Sequence, residues 1–86
     1  MKLTTLYHIV PVHDGYHYVC LDKYGEHHVV ENKTRDNIGD KVYIAFKSEK
    51  DAEKYIEKHL DKEKYKSEVF YINLEFFKER YNGKVL

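Results

Sequence analysis

The sequence predicts an α+β fold in two layers, with a mainly antiparallel sheet of about five strands, one long amphipathic helix and a short C-terminal helix. Two observations lead to this prediction. Short apolar segments with a strand-like period alternate with turn-forming residues over most of the chain, as in antiparallel sheets. The segment 48–60 and the residues after position 74 have instead the spacing of amphipathic helices.

The segment 41–60 contains the clearest signals. Residues 41–46 predict a strand that is apolar on both faces, which is typical of a strand near the middle of a sheet. Ser48 can then cap a helix, because its hydroxyl can accept a hydrogen bond from a backbone N–H of the first turn, and Asp51 stands at the acidic position of a capping box. We expect the helix to dock on the sheet, because an isolated helix of this length is marginal in water. Its apolar stripe consists of Ala52, Tyr55, Ile56, His59 and Leu60.

The first part of the chain predicts a β-hairpin. Residues 3–12 and 16–22 are strand candidates, and the Asp-Gly pair between them is the strongest short signal for a type I′ turn. With that pair as the loop, Val10 would face Val19 and both would lie on the apolar face. Pro11 cannot donate to a sheet ladder, so it marks either an edge strand or the end of this strand.

The next strands are shorter signals. Residues 27–31 predict a third strand after a turn at Gly25, and residues 32–40 predict a polar loop. Residues 68–74 predict a last strand that is apolar on both faces. A right-handed crossover through the long helix would place this strand beside residues 41–46 and parallel to them.

The spacing changes to a helical period near the C-terminal end. Leu74, Phe77 and Tyr81 fit one stripe, Asn73 can cap the helix, and Gly83 can end it. A strand that continues through Phe77 is the alternative interpretation, because element boundaries are hard to place from a single sequence.

Length and charge limit the possible functions. The 86 residues form a single domain with one modest core. Lys plus Arg and Asp plus Glu both number 15, so a broad basic surface for general nucleic-acid binding is not expected. A single cysteine, Cys20, excludes an internal disulfide and indicates a reducing cytoplasm. We also expect no membrane interaction, because no segment resembles a signal peptide or a transmembrane helix.

Aromatic content is the unusual feature of the composition. Nine tyrosines are more than so small a core needs, and tyrosine is favoured at protein interfaces. Three tyrosines share the face of the predicted hairpin opposite to its apolar run, so we expect that face to be exposed and to bind a partner. The alternative is that the long helix or the C-terminal segment covers these rings and makes them core. The predicted partner-binding residues are Tyr7, His13, Tyr16, Tyr18 and Tyr24.

No motif predicts catalysis or a bound cofactor. His13, His17 and Cys20 lie close in sequence, with His27 and His28 one hairpin away, and zinc takes such ligands. Their spacing fits no zinc motif, and on a strand His17 and Cys20 would point to opposite faces. The chain has no glycine-rich phosphate loop and no paired carboxylates on facing elements. We therefore predict no metal, no cofactor and no enzymatic activity.

These observations favour a small cytoplasmic protein-binding module. Short proteins rich in Lys, Glu and Tyr are typical of phage or mobile-element inhibitors, so inhibition of a host protein is the predicted role. A small-ligand or nucleotide-binding domain is the alternative. Local nucleic-acid binding through tyrosine and lysine side chains on a sheet face is a third possibility.

Three segments give the alternative its sharpest form. LYHIVP near the start, VYIAFKSEKDAEKYI in the middle and VFYINLE near the end resemble the spacing of core strands in ADP-ribosyltransferase-like domains. The resemblance implies that Tyr7 and His8 lie in an NAD-binding opening strand. This chain is shorter than such a domain and lacks the glycine-arginine elements expected near the nicotinamide, so the resemblance implies at most a reduced form of that fold.

Overall fold

A computed structural model describes residues 2–13, 17–31 and 39–86. These residues form six strands and two helices, so the predicted α+β class is confirmed. In chain order the elements are β1 (Thr4–Pro11), β2 (Tyr18–Leu21), β3 (His27–Val30), β4 (Val42–Ala45), α1 (Glu49–His59), β5 (Tyr65–Ile72), α2 (Leu74–Arg80) and β6 (Gly83–Val85).

The strands form two sheets instead of one. β1 pairs with β5, and the second sheet has the order β3-β2-β4-β6. All pairs are antiparallel except β4 with β6, so the sheet structure is mainly antiparallel as predicted. The two sheets meet where Tyr7 of β1 and Phe46, just after β4, exchange backbone hydrogen bonds of 2.8 and 2.7 Å.

β4 is the central strand, as its apolar pattern predicts. It is hydrogen-bonded to β2 on one edge and to β6 on the other, and residues 43–46 are all buried. Side chains on the two faces of β4 belong to different core clusters, because successive residues of a strand point to opposite sides. Tyr43 and Ala45 lie in the first cluster, and Ile44 and Phe46 lie in the second.

Each helix closes one of these clusters. In α1, Ala52 and Ile56 are buried in the second cluster, and Tyr55 and Leu60 pack against it. This arrangement confirms the predicted docking face except at His59, which is exposed. Phe77 of α2 is buried in the first cluster. Both predicted caps are present, because Ser48 Oγ accepts from the Asp51 N–H at 3.1 Å and Asn73 Oδ1 accepts from the Phe76 N–H at 3.0 Å.

The predicted hairpin register is wrong. β1 pairs over its whole length with β5, from Thr4 opposite Ile72 to Pro11 opposite Tyr65, and not with β2. Val10 and Val19, expected to face each other, lie in different core clusters. The Asp-Gly turn and most of the predicted loop at 32–40 lie outside the described residues. Pro11 is the last residue of β1, in agreement with one of the two predicted positions.

The predicted partner of β4 is also wrong. β5 was expected beside β4 and parallel to it, whereas the parallel neighbour is the three-residue strand β6. β6 can approach because Gly83 packs on Phe77, where an added Cβ would lie 2.4 to 2.6 Å from ring carbons. α2 therefore ends before Gly83, and the chain returns as a strand along β4.

Candidate protein-binding surface

The structure describes four of the five predicted partner-binding residues and places them in different surroundings. Tyr18 is completely buried, so its predicted exposure is wrong. Tyr24 is 78% exposed in the turn between β2 and β3, and His13 is exposed after β1. Tyr7 is half-buried on β1, and Tyr16 lies outside the described residues. The four described residues therefore do not share one exposed face.

The C-terminal segment covers Tyr18, which was the alternative interpretation of this ring. Tyr18 stacks on Tyr43 with ring centroids 4.1 Å apart, and the edge of Phe77 lies against Tyr43 at 5.0 Å. Tyr81 and Val85 pack against the same cluster. Burial raises the pKa of Tyr18. These rings are therefore part of the core.

A different surface is open, along the outer edge of β5. Tyr7 directs its backbone groups to Phe46 and hence away from β5. Because hydrogen-bonding directions alternate along a strand, β1 bonds to the even-numbered residues of β5, and Ser67, Val69 and Tyr71 direct their backbone groups outward. Within the part of the chain that the structure describes, these three residues have no backbone partner on that side.

Apolar side chains lie beside this open edge. Directly opposite residues of an antiparallel pair share a face, so Thr5 lies beside Tyr71 and Tyr7 beside Val69. The exposed fractions are 63% for Tyr71, 41% for Val69 and 57% for Leu3, which lies just before β1. We call this surface, formed by Leu3, Thr5, Tyr7, Val69 and Tyr71, the outer β5 face.

A groove extends the outer β5 face along helix α1. It runs between the helix and β5, and Ile56 and Tyr65 contribute its apolar walls. Its helix side also carries Glu49, Glu53 and Glu57. A second hollow shares Glu49 and Ser67 with the groove and continues it onto the exposed residues of the outer β5 face.

A buried polar chain lies on the opposite side of β1. His8 is completely buried, its Nδ1 shares a hydrogen bond of 2.5 Å with the Tyr43 hydroxyl, and its Nε2 lies 3.6 Å from Glu68 Oε1. Burial raises the pKa of Tyr43. The resemblance to ADP-ribosyltransferase-like domains places Tyr7 and His8 in the opening strand, and both lie in β1, where the His8 imidazole packs at 4.5 Å from the Phe70 ring inside the core.

Within the described part of the chain, the histidines and Cys20 that lie close in sequence do not form a group that could hold a metal ion. Among the described residues, the group whose atoms could share a cation is Asp22, Glu26 and His28, within 4.8 Å of one another. Asp22 is already engaged, because it accepts hydrogen bonds from two backbone N–H groups and lies 2.7 Å from His28 Nε2. The hydrogen bond with His28 lowers the pKa of Asp22. This arrangement stabilises the turn between β2 and β3.

Cys20 has the environment of a core residue. It is completely buried, and burial raises the pKa of its thiol to about 12. Since the thiolate is the nucleophile, this thiol is unreactive near neutral pH.

Comparisons with known proteins give no relatives. The chain matches no protein-family model, and neither the curated proteins nor the solved structures contain a significant match to it. Neither helix of the described residues has the length and apolar character needed to cross a membrane.

Sequence reasoning missed the outer β5 face because residues 68–74 are apolar at nearly every position. That pattern indicated a strand with both faces buried and a neighbour on each edge, whereas β5 is paired with β1 on one edge alone. A weak signal was present in the polar residues Lys66, Ser67 and Glu68, since strands with an open edge commonly carry charged side chains.

Proposed function

We propose that the protein is a non-enzymatic, cytoplasmic protein-binding module that binds its partner along the open edge of β5. An extended segment of the partner would add as a further strand to β5, and its side chains would cover the outer β5 face. Main-chain hydrogen bonds supply affinity in this mode of recognition, and side-chain contacts supply specificity.

The open edge of β5 beside exposed apolar side chains is the observation that carries this proposal. Natural proteins usually keep edge strands short or cover them, because an unpaired edge is a template for another chain. The edge strands β3 and β6 follow this rule with four and three residues. β5 has eight residues, and Val69 and Tyr71 are exposed next to its unpaired backbone groups.

Inhibition of a host protein is the role that the composition favours. A strand that occupies an extended segment of another protein prevents that segment from making its own contacts. Binding along β5 would thus be sufficient for inhibition, without any catalytic group.

The test uses one proline substitution at each of two open edges. Val69→Pro removes an outward N–H of β5, and proline is tolerated at such edge positions. The matched control is Val29→Pro on β3, because Val29 has similar exposure and its backbone also points outward, given the hydrogen bonding between β2 and β4. A photo-crosslinking residue at position 71 captures the partner, and one at position 24 serves as the exposed control.

We expect the photo-crosslinking residue at position 71 to capture the partner. Val69→Pro should abolish this capture, whereas Val29→Pro should preserve it. Circular dichroism and thermal melting verify that both variants are folded. Capture through position 24 alone, or equal capture by both proline variants, would show that the open edge of β5 is not the binding site.

A further inference from the structure

We infer that the segment bound along β5 is extended and basic, with Lys or Arg at alternate positions opposite helix α1. This inference rests on the proposed function and specifies the chemistry of the partner. It starts from Glu49, Glu53 and Glu57, which form one line along the helix at i, i+4 and i+8 and border the groove beside β5.

The three glutamates have no neutralising partner in the described structure. No Lys, Arg or His nitrogen of the described residues lies within 4.0 Å of their carboxylates. Their i,i+4 spacing places like charges next to each other, which disfavours the helix. Glu57 also lies in the last turn, where the helix dipole favours cations. Glu49 lies in the first turn, where the helix dipole favours acidic side chains, so helix stability accounts for Glu49 but not for Glu57.

The groove as a whole is negative. Lys62 and Lys66 line its other side, so two positive charges stand against the three glutamates. The continuation toward Tyr71 has Glu49 and Glu68 as its charged residues and no lysine. The part of a bound segment that lies beside α1 would thus meet a net negative surface.

The geometry places an added strand against this surface. Such a strand lies about 4.8 Å from β5, beside its open edge. Every second side chain of the added strand points to one face of the sheet, the face that carries Tyr65, Ser67, Val69 and Tyr71. At the Tyr65 end this is the side of α1, where Lys or Arg would reach the glutamates. At the Tyr71 end the same side is apolar, so the segment carries basic residues at one end and apolar residues at the other.

A second copy of the chain fits this surface less well. The side chains that β5 would present to the helix of another copy are Tyr65, Ser67, Val69 and Tyr71. None of them is basic, so self-association would leave the glutamates without positive charge. Charge complementarity therefore favours a different protein as the occupant.

Synthetic peptides test the inference with the protein as it is. The probe is a peptide of about seven residues, a typical strand length, with the sequence Lys-Thr-Lys-Thr-Val-Thr-Val, together with its reversed sequence to allow for either strand direction. In the comparison peptides, Glu or Thr replaces Lys. Affinity is measured by titration calorimetry at two salt concentrations, and the binding position by amide chemical shifts.

We expect one of the lysine peptides to bind along β5 and to lose affinity in higher salt, whereas the glutamate peptide does not bind. Glu53→Lys should weaken the lysine peptide by about tenfold, a change of about 1.4 kcal/mol, and should improve binding of the glutamate peptide. The control Glu75→Lys, an exposed residue of α2, should leave both affinities unchanged.

Three results would overturn the inference. In the first, the lysine and threonine peptides bind equally and Val69→Pro abolishes the binding of both. This result would leave β5 as the binding edge but would remove the requirement for a basic segment. Lysine-peptide binding that Val69→Pro leaves unchanged, or that Glu53→Lys and Glu75→Lys weaken equally, would indicate general attraction to the acidic surface. A stable dimer in light scattering that Val69→Pro dissociates would show that a second copy occupies the edge.

Discussion

Strand β4 and the C-terminal half of β5 have similar apolar sequences but different environments. β4 is hydrogen-bonded on both edges and covered on both faces, so residues 43–46 are buried. β5 is paired with β1 alone, and Val69 and Tyr71 remain exposed. The difference shows that the number of neighbouring strands, and not apolar content alone, decides whether a strand is enclosed in the core or remains exposed.

The tyrosines follow the same division. Tyr18 and Tyr43 stack on each other in the region of β4, where burial raises the pKa of both phenols. Tyr71 extends from β5 with most of its ring exposed. The tyrosines of this small domain are therefore divided between the core and the exposed surface.

The strongest test of this division compares these two kinds of tyrosine. Tyr18→Ala should lower the free energy of unfolding by about 3–5 kcal/mol, as for other large buried aromatic residues. Tyr71→Ser should change it by less than about 0.5 kcal/mol, since its ring is largely exposed. Urea denaturation measures both. Similar losses for the two variants would mean that β5 is as enclosed as β4.

Helix α1 provides the next comparison, between the stripe that docks and the acidic line beside the groove. Ile56→Ala should cost about 2–4 kcal/mol, because it removes a buried side chain from the second core cluster. Glu57→Ala should be nearly neutral in stability, because its side chain is exposed and has no ion pair with a described residue. A chemical denaturation series that gave both variants the same midpoint would contradict the assignment of the docking face.

Two tyrosine hydroxyls that contact histidines allow a finer comparison of buried and half-buried sites. Tyr43→Phe removes a hydrogen bond of the completely buried His8 and should cost about 1–3 kcal/mol. Tyr55→Phe removes the bond of 2.6 Å to His27 at a half-buried site, where water can replace the hydroxyl, and should cost about 0.5–1.5 kcal/mol. Thermal unfolding of both variants establishes the order, and a larger loss for Tyr55→Phe would reverse it.

Local signals predicted the elements but not their partners. The strand at 41–46, the caps at Ser48 and Asn73 and the buried face of α1 were predicted because each depends on residues close together in sequence. The pairing of β1 with β5 joins residues about 55 to 70 positions apart, which no turn signal encodes. β6 was missed because Gly83–Val85 is too short to show a period and Gly83 resembled a helix end.

The sequence predicted the type of the candidate surface but not its location. A tyrosine-bearing sheet face was expected, and Tyr7 and Tyr71 do lie on one. The sequence placed that face on a local hairpin, since an Asp-Gly pair outweighs distant apolar segments in any local interpretation. The register between two strands far apart in sequence decides which tyrosines share a face, so Tyr71 could not be recognised and Tyr18 was included wrongly.

The smallest expected effect concerns pH and the contact between β3 and the end of α1. His27 Nε2 lies 2.6 Å from the Tyr55 hydroxyl, and the ring of His59 lies 6.3 Å away. Burial lowers the pKa of His27, and the neighbouring charges of His59 and His28 lower it further. The carboxylate of Asp22 lies 2.7 Å from His28 Nε2.

Because the pKa of His27 is lower in the folded chain than the ordinary value of about 6.5, the unfolded chain takes up the proton first. Stability is thus present above about pH 6.5 and is lost as the pH falls through the interval between the two pKa values. His27→Gln should reduce the slope of unfolding free energy against pH between about pH 7.5 and 5, whereas His13→Gln, at an exposed position, should preserve it. The lowered pKa of Asp22 acts at more acidic pH, near the ordinary Asp value of about 3.9 and below, so Asp22 does not set the slope in this interval. If stability rises on acidification, or if His13→Gln alone removes the slope, then His27 is not held neutral at this contact and the region around α1 is more open to water than the region around β4.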